Sequence, residues 1–242
     1  MRSQMIFNFK IICLLVIMIA HTELPSQNIP SSARSRDAIN RVLPSLNKEL
    51  SVKNFNTGSP IFIRIFKESY ELEIWLYDDG LYELFKYYKI CTWGDQGLGP
   101  KTRQGDGKAP EGFYIVKARN LNPLSDYHLA FNLGYPNPYD QAHQRTGSAL
   151  MVHGNCCSIG CYAMTDKYIE EIYTLADAAF RNGQDAFQVQ IFPFRMTAAN
   201  LEKHKASEWN DFWRNLKGGY DYFEKNKIPP KVSVKEMRYV FD

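Results

Sequence analysis

The sequence predicts one domain of mixed α+β class. Three observations lead there: apolar residues alternate with period two in several short runs, they recur at helical spacing in others, and no internal repeat divides the 242 residues. With 45% hydrophobic and 14% aromatic content, the chain can bury one sizeable core.

Residues 1–20 stand apart from that domain. Arg2 and Lys10 flank an apolar run from Ile11 to Ala20 with no acidic residue, which is the pattern of an export signal. The run is short for a membrane span, and Met18 spoils a small-x-small cleavage site before residue 21, so a signal peptide and a short membrane anchor are both open. Residues 21–36, with Ser and Pro, read as a linker to a single catalytic-sized domain over 37–242.

The domain's elements follow in order. Ile39, Val42, Leu43, Leu46 and Leu50 predict a short helix from Asp37 to Leu50, kinked at Pro44. Ile61, Ile63 and Ile65, then Leu72, Ile74 and Leu76, predict two strands, and Asp78-Asp79-Gly80 turns the chain into a third over Leu81 to Ile90. Gly94 to Gly112 holds six glycines and two prolines and must be a loop, of a length that tends to carry function; Phe113 to Val116 is the next strand. A second irregular stretch, Leu133 to Gly147, leads into a buried strand, Ala149 to Val152, that delivers His153. Asp166 is the expected cap of a helix through Phe180 that stops at Gly183. Phe187, Val189 and Ile191 predict a further strand; Trp209, Phe212, Trp213 and Leu216 predict a helical tail, followed by Gly218-Gly219 and a Pro229-Pro230 turn.

Charge narrows the partners. Removing Arg2 and Lys10 with the leader leaves 27 basic against 26 acidic residues. A nearly neutral domain without a run of like charge lacks the surplus that drives nucleic-acid binding. Of five cysteines, Cys13 lies in the leader, which leaves Cys91, Cys156, Cys157 and Cys161. In an oxidising compartment thiols are usually paired, so a bridge from Cys91 to Cys156 or Cys157 is open, and a thiol kept reduced there needs a reason such as catalysis.

That reason is offered by Met151 to Thr165. A strand brings His153 to its rim, seven residues return the chain, and Gly160 removes side-chain bulk beside Cys161, a few residues before a helix N-terminus. A thiol is a weak nucleophile until a nearby imidazole accepts its proton, and the carbonyl it attacks develops a negative oxygen that backbone N–H groups at Gly160 and Cys161 can hold. Plainer accounts stand beside this one. Cys156 and Cys157 fit small buried residues or disulfide partners, and a zinc site from His153, Cys156, Cys157 and Cys161 lacks the usual C-x-x-C spacing. His128 and His143 can line the cleft or be ordinary structural histidines. Lys101, Arg103 and Arg145 can receive carboxylates of an acidic peptide or be solvated loop charges. No cofactor is indicated.

His153-Gly154 followed by Ser158-Ile159-Gly160-Cys161 resembles the signature of the L,D-transpeptidase catalytic domain family, also called YkuD-like. Gly105 through Ala109-Pro110-Glu111-Gly112-Phe113-Tyr114 is similar to a preceding family segment. Leu98-Gly99-Pro100-Lys101, Phe131 to Pro136, Gly160 to Thr165, Phe212-Trp213 and Gly219 to Glu224 resemble the family's YafK-like branch, over roughly residues 37–242. The resemblance implies a β-rich catalytic fold with antiparallel and mixed sheets and flanking helices. It implies a periplasmic location in a Gram-negative cell, with or without a membrane anchor, and peptidoglycan stem peptides as substrate. Cys161 is implied as nucleophile and His153 as base, with Gly160 and Cys161 as oxyanion donors and Ser158, Tyr162, Arg103 and Tyr135 as substrate-binding residues. Members of the family join at the L-centre of diaminopimelate, release D-alanine and pass the acyl group to an amine.

Two departures qualify this. Only four residues separate His153 from Ser158, where many members have a longer spacer, and Tyr162-Ala163-Met164 replaces the residues often found after the cysteine. The branch shares these departures, and its behaviour includes hydrolysis that frees an outer-membrane lipoprotein from peptidoglycan. Acyl transfer, hydrolysis of the same bond class (lipoprotein release or carboxypeptidase trimming) and a cell-wall binding module without turnover are therefore the three readings, with a monomer as the expected assembly.

Overall fold

The computed structural model describes residues 28–94 and 97–242. The leader over 1–20 and the first part of the predicted linker, 21–27, lie outside the described residues; within the rest of that linker, Ala33 onward is already helical. Helix α1 (Ala33–Val52) opens on Ser32, whose hydroxyl accepts the Ser35 N–H, and it runs through Pro44 as one helix. Its buried side chains, Ala38, Val42, Leu46 and Leu50, fall every fourth residue on one face.

The main sheet collects β1 (Ile61–Phe66), β2 (Glu71–Asp78), β3 (Leu81–Lys89), β4 (Gly112–Lys117) and, from much later in the chain, β9 (Ala186–Phe192). Its order is β3-β2-β1-β9-β4. The meander is antiparallel as the pattern required, with Asp79 and Gly80 at φ 41° and 93° making its tight turn. β9 inserts parallel to β1 and antiparallel to β4, so the sheet is mixed. β1 is buried at every position: Ile61, Ile63 and Ile65 enter the main core, while Phe62, Arg64 and Phe66 face the C-terminal helix.

A smaller sheet of β5 (Leu121–Asn122), β6 (Ala130–Asn132), β7 (Met151–His153) and β8 (Tyr162–Ala163) runs in chain order. The short α2 (Pro138–Ala142) lies between β6 and β7. The predicted strand from Ala149 starts only at Met151, because Ala149 takes φ 56°, a left-handed value that ends extended structure. Helix α3 (Asp166–Arg181) touches β1, β6 and β7 and thus lies across both sheets. Its cap is Thr165, whose hydroxyl accepts the Tyr168 N–H; Asp166 is the first helical residue instead. Gly183, at φ 95°, follows the helix end as expected.

After α4 (Ala198–Lys203), helix α5 (Asn210–Asn226) covers the far face of the main sheet. Gly218-Gly219 does not interrupt it. A Cβ on Gly219 would come within 2.5 Å of the Phe113 ring and 2.6 Å of the Phe241 ring, so the glycines admit those rings against the helix. Phe241 belongs to a hairpin, β10 (Val232–Lys235) and β11 (Arg238–Phe241), that packs on α5.

Candidate active site

β7 and β8 are hydrogen-bonded parallel neighbours, with Val152 opposite Tyr162 and His153 opposite Ala163. Continuing that register by one residue sets Cys161 opposite Met151. Cys161, the residue before β8, is thereby brought beside the start of β7, with its Cα about 8 Å from that of His153 by strand rise and spacing.

Each group is held by its own backbone surroundings. The Cys161 thiol faces the Ala149 carbonyl at 3.6 Å, the group that the left-handed turn at Ala149 presents. Burial raises the thiol pKa, and the Met151 backbone N–H and the Lys101 charge partly offset that rise. His153 is 2% exposed, its ring tilted over Tyr127 at 4.6 Å between centroids. Its Nδ1 lies 2.7 Å from the Gly154 carbonyl. An imidazole donating from Nδ1 to that oxygen leaves the Nε2 lone pair as the base. Burial lowers the imidazole pKa against the raising effect of the carbonyl, so on both groups burial works in favour of the neutral form.

The loop between them is fastened at several points. Gly154 N–H is directed at the Tyr127 and Leu129 carbonyls, and Asn155 N–H donates to Asp166 Oδ1 at 2.7 Å. Cys156 is disulfide-bonded to Cys91, just past β3, which settles the open pairing and removes one of the four ligands of the zinc alternative. Cys157 is neither buried nor bridged, contrary to expectation; it is an exposed free thiol.

Several expected roles change. The Gly160 and Cys161 N–H groups, expected to receive the oxyanion, both donate to Ser158 Oγ, at 3.0 and 2.7 Å, and Ser158 donates to the Cys161 carbonyl at 2.8 Å. Ser158 therefore shapes the turn before the thiol and has its hydrogen bonds filled. The bare Cα of Gly160, at φ 148°, faces the Lys108 carbonyl: a Cβ there would approach it to 3.1 Å, so the space is used by the glycine-rich loop. Tyr162 is fully buried and donates to the Pro110 carbonyl at 2.7 Å, with burial raising its pKa well above the usual value. Tyr135 is also buried, and its hydroxyl lies 3.4 Å from the Lys101 and Thr146 carbonyls. Neither ring lines the cavity that holds Cys161. Arg103 is exposed and contributes backbone atoms to the loop.

His128 pairs with Glu170 at 2.8 Å and His143 with the Met237 carbonyl at 2.8 Å, and neither lines the cavity that holds Cys161. Arg145 is buried on Asp140 at 2.9 Å, and Lys101 on Asp106 at 2.7 Å, so neither is a solvated loop charge. Asp106 also accepts the Thr102, Arg103 and Lys108 N–H groups. Burial works against its charge, but those donors and Lys101 bring its carboxyl down to about 2. Sequence reasoning missed this clamp. Its signal was the Lys-x-x-x-x-Asp spacing inside the glycine-rich loop.

Cys161 lines a cavity of about 170 Å³ with Lys101, Gln104, Gly107, Ala149 and Gly160. A larger groove of about 630 Å³ lies between α1 and α3 and contains neither Cys161 nor His153. Chemistry favours the smaller one, which holds the only thiol beside an imidazole-bearing strand among the described residues.

Residues 61–191, from β1 through β9, match the L,D-transpeptidase catalytic domain YkuD. The chain belongs to that family. It is 52% identical over 183 residues to "Putative L,D-transpeptidase YafK" of Escherichia coli strain K12, covering 76% of this chain and 74% of that one, and equally to the counterpart in Escherichia coli O157:H7. Among solved structures, it is similar to the helical cell shape determining protein Pgp2 of Campylobacter jejuni, at 18% identity and TM-score 0.43, with 79% of this chain and 80% of that one covered. Bd1075 of Bdellovibrio bacteriovorus matches at 18% identity and TM-score 0.39, over 74% of this chain and 78% of that one. The YkuD-family chain is accordingly a peptidoglycan-modifying enzyme of L,D-transpeptidase type.

Proposed function

We propose that Cys161 is the nucleophile and His153 the base of an acyl transfer at the L-centre of diaminopimelate in peptidoglycan stem peptides. The observation that carries this reading is the parallel pairing of β7 with β8, which sets His153 opposite Ala163 two residues after Cys161, with the thiol lining a cavity. As Cys161 Sγ bonds to the amide carbon, its proton passes to His153 Nε2 and the carbonyl electrons move to oxygen. When the oxygen's electrons return, the C–N bond breaks and the imidazolium gives its proton to the leaving amine. A thioester remains on Cys161.

The second half repeats these steps in reverse. An amine acceptor, deprotonated by His153, displaces the sulfur and yields a new amide; water yields a carboxylic acid; either way Cys161 regains a proton. The hydrolytic outcome, in which a lipoprotein joined to peptidoglycan is released, is included on the resemblance of the sequence segments to the YafK-like branch. Export to the periplasm completes the reading, supported by the residue pattern of 1–20 and by a disulfide, which persists in oxidising compartments.

Incubation with purified sacculi, followed by mass analysis of muropeptides and of the protein, tests this. A stem-peptide adduct on Cys161 is expected, with turnover reduced at least about 10³-fold in Cys161→Ala. Turnover that survives in Cys161→Ala sinks the reading. New cross-links identify transfer, and lost peptide remnants identify hydrolysis.

A further inference from the structure

The donors expected to hold negative charge beside Cys161 are already bonded to Ser158 Oγ. The cavity has another candidate. Lys101 lines the same space as Cys161, and its side chain is only 7% exposed. Its stem passes the bare Cα of Gly147, where a Cβ would come 2.8 Å from Lys101 Cε, and Tyr135 abuts the same glycine. A buried lysine held this closely is a built feature of the site.

Its hydrogen bonds leave capacity. One N–H goes to Asp106 Oδ1 at 2.7 Å and one to the Arg103 carbonyl at 2.9 Å, and an ammonium has three. The partner carboxylate is itself drawn away by three backbone N–H groups, from Thr102, Arg103 and Lys108. Shared among four sets of donors, Asp106 fixes Lys101 in place without cancelling its field on the cavity. Such preorganised charge is what an oxyanion requires, since no group must reorient as charge develops.

Resting on Cys161 as nucleophile, we propose that the Lys101 ammonium is the cationic stabiliser of this cavity, holding first the anionic sulfur and then the oxyanion of the tetrahedral intermediate. Asp106 is its positioning residue. The ligand class is an oxyanion formed from an uncharged amide, so Lys101 acts on the rate of bond making more than on substrate binding.

The test compares Lys101→Met and Lys101→Arg in the full chain. Cys157→Ser is included so that label on the Cys156–Cys161 segment reports the Cys161 thiol. Iodoacetamide alkylation is followed against pH by peptide mass, and turnover is measured on sacculi. Lys101→Met is expected to slow alkylation at pH 8 by about threefold to tenfold, to shift its rise to higher pH and to lower kcat about 10²-fold at little changed KM. Lys101→Arg keeps the charge and should restore the alkylation profile. Should the Met variant not fold, judged by thermal unfolding, Lys101→Gln carries the same test. An unmoved alkylation profile in a folded neutral variant overturns the proposal, as does a raised KM with unchanged kcat, which would put Lys101 on a substrate carboxylate. Both outcomes leave the Cys161 reading standing, because that reading fails only if Cys161→Ala retains turnover.

Discussion

In the five-stranded sheet the strands run six to nine residues, and β1 is buried along its whole length; in the four-stranded sheet no strand exceeds three residues, yet the thiol and the imidazole sit there. A long strand is stabilised by its own ladder and its two buried faces. A two-residue strand is not, and its geometry must be imposed from outside. The impositions are visible: the Cys91–Cys156 bridge, the Ser158 turn, the Asp166 contact and the glycine-rich loop. That loop is tied to the large sheet by Lys67, at the end of β1, whose ammonium meets Glu111 at 2.9 Å with both side chains fully buried. Glu111 also accepts the Gly99 and Trp213 N–H groups. Scaffold and site therefore differ in what damage to each should cost.

The largest stability effect is expected at the join. Lys67→Met leaves Glu111 buried without its cation and should lower unfolding free energy by about 3–5 kcal/mol in urea titration. A loss below about 1 kcal/mol would mean that the pair does not couple the loop to the sheet. Next comes the bridge, which spans a sequence separation of 65 residues. Cys91→Ser with Cys156→Ser should cost about 2–4 kcal/mol, and turnover should fall further than stability alone explains, because His153 and Cys161 flank the released loop. Unchanged kcat in the folded double variant would show that the small sheet holds itself.

Ser158→Ala is expected to cost only about 1 kcal/mol of stability while lowering kcat about tenfold, since the turn that aims Cys161 loses its three bonds. The mildest effect concerns pH. His153 acts as a base when neutral, and burial puts its pKa below the ordinary 6.5, so kcat/KM should hold at pH 6.5 and decline only at lower pH. The thiol lies above the ordinary 9.0, so alkylation of Cys161 should still be climbing at pH 9. An alkylation plateau near neutrality would indicate a preformed thiolate–imidazolium pair and reverse this order.

The strands of the main sheet were legible because a period of two survives over six or more residues, as in Ile61, Ile63 and Ile65. Strands β5, β6, β10 and β11 were not, since two to four residues show no period. Tyr162 and Tyr135 read as substrate contacts beside a reactive cysteine, but burial is invisible in sequence, and both rings turned inward to carbonyls of distant loops. The glycine pair inside α5 shows the same limit: local propensity names a break there, and packing against Phe113 and Phe241 keeps the helix whole.

By itself the amino-acid sequence determined the class of fold, the pairing of a His-Gly with a Ser-x-Gly-Cys and the family they mark, because spacing and residue type are local properties of a chain. Only the tertiary structure decided which cysteine Cys91 bonds, that Ser158 occupies the nearest amide donors and that Lys101 lines the same cavity as the thiol. Those relations join segments tens of residues apart, and their energies come from burial, which exists only once the chain has closed on itself.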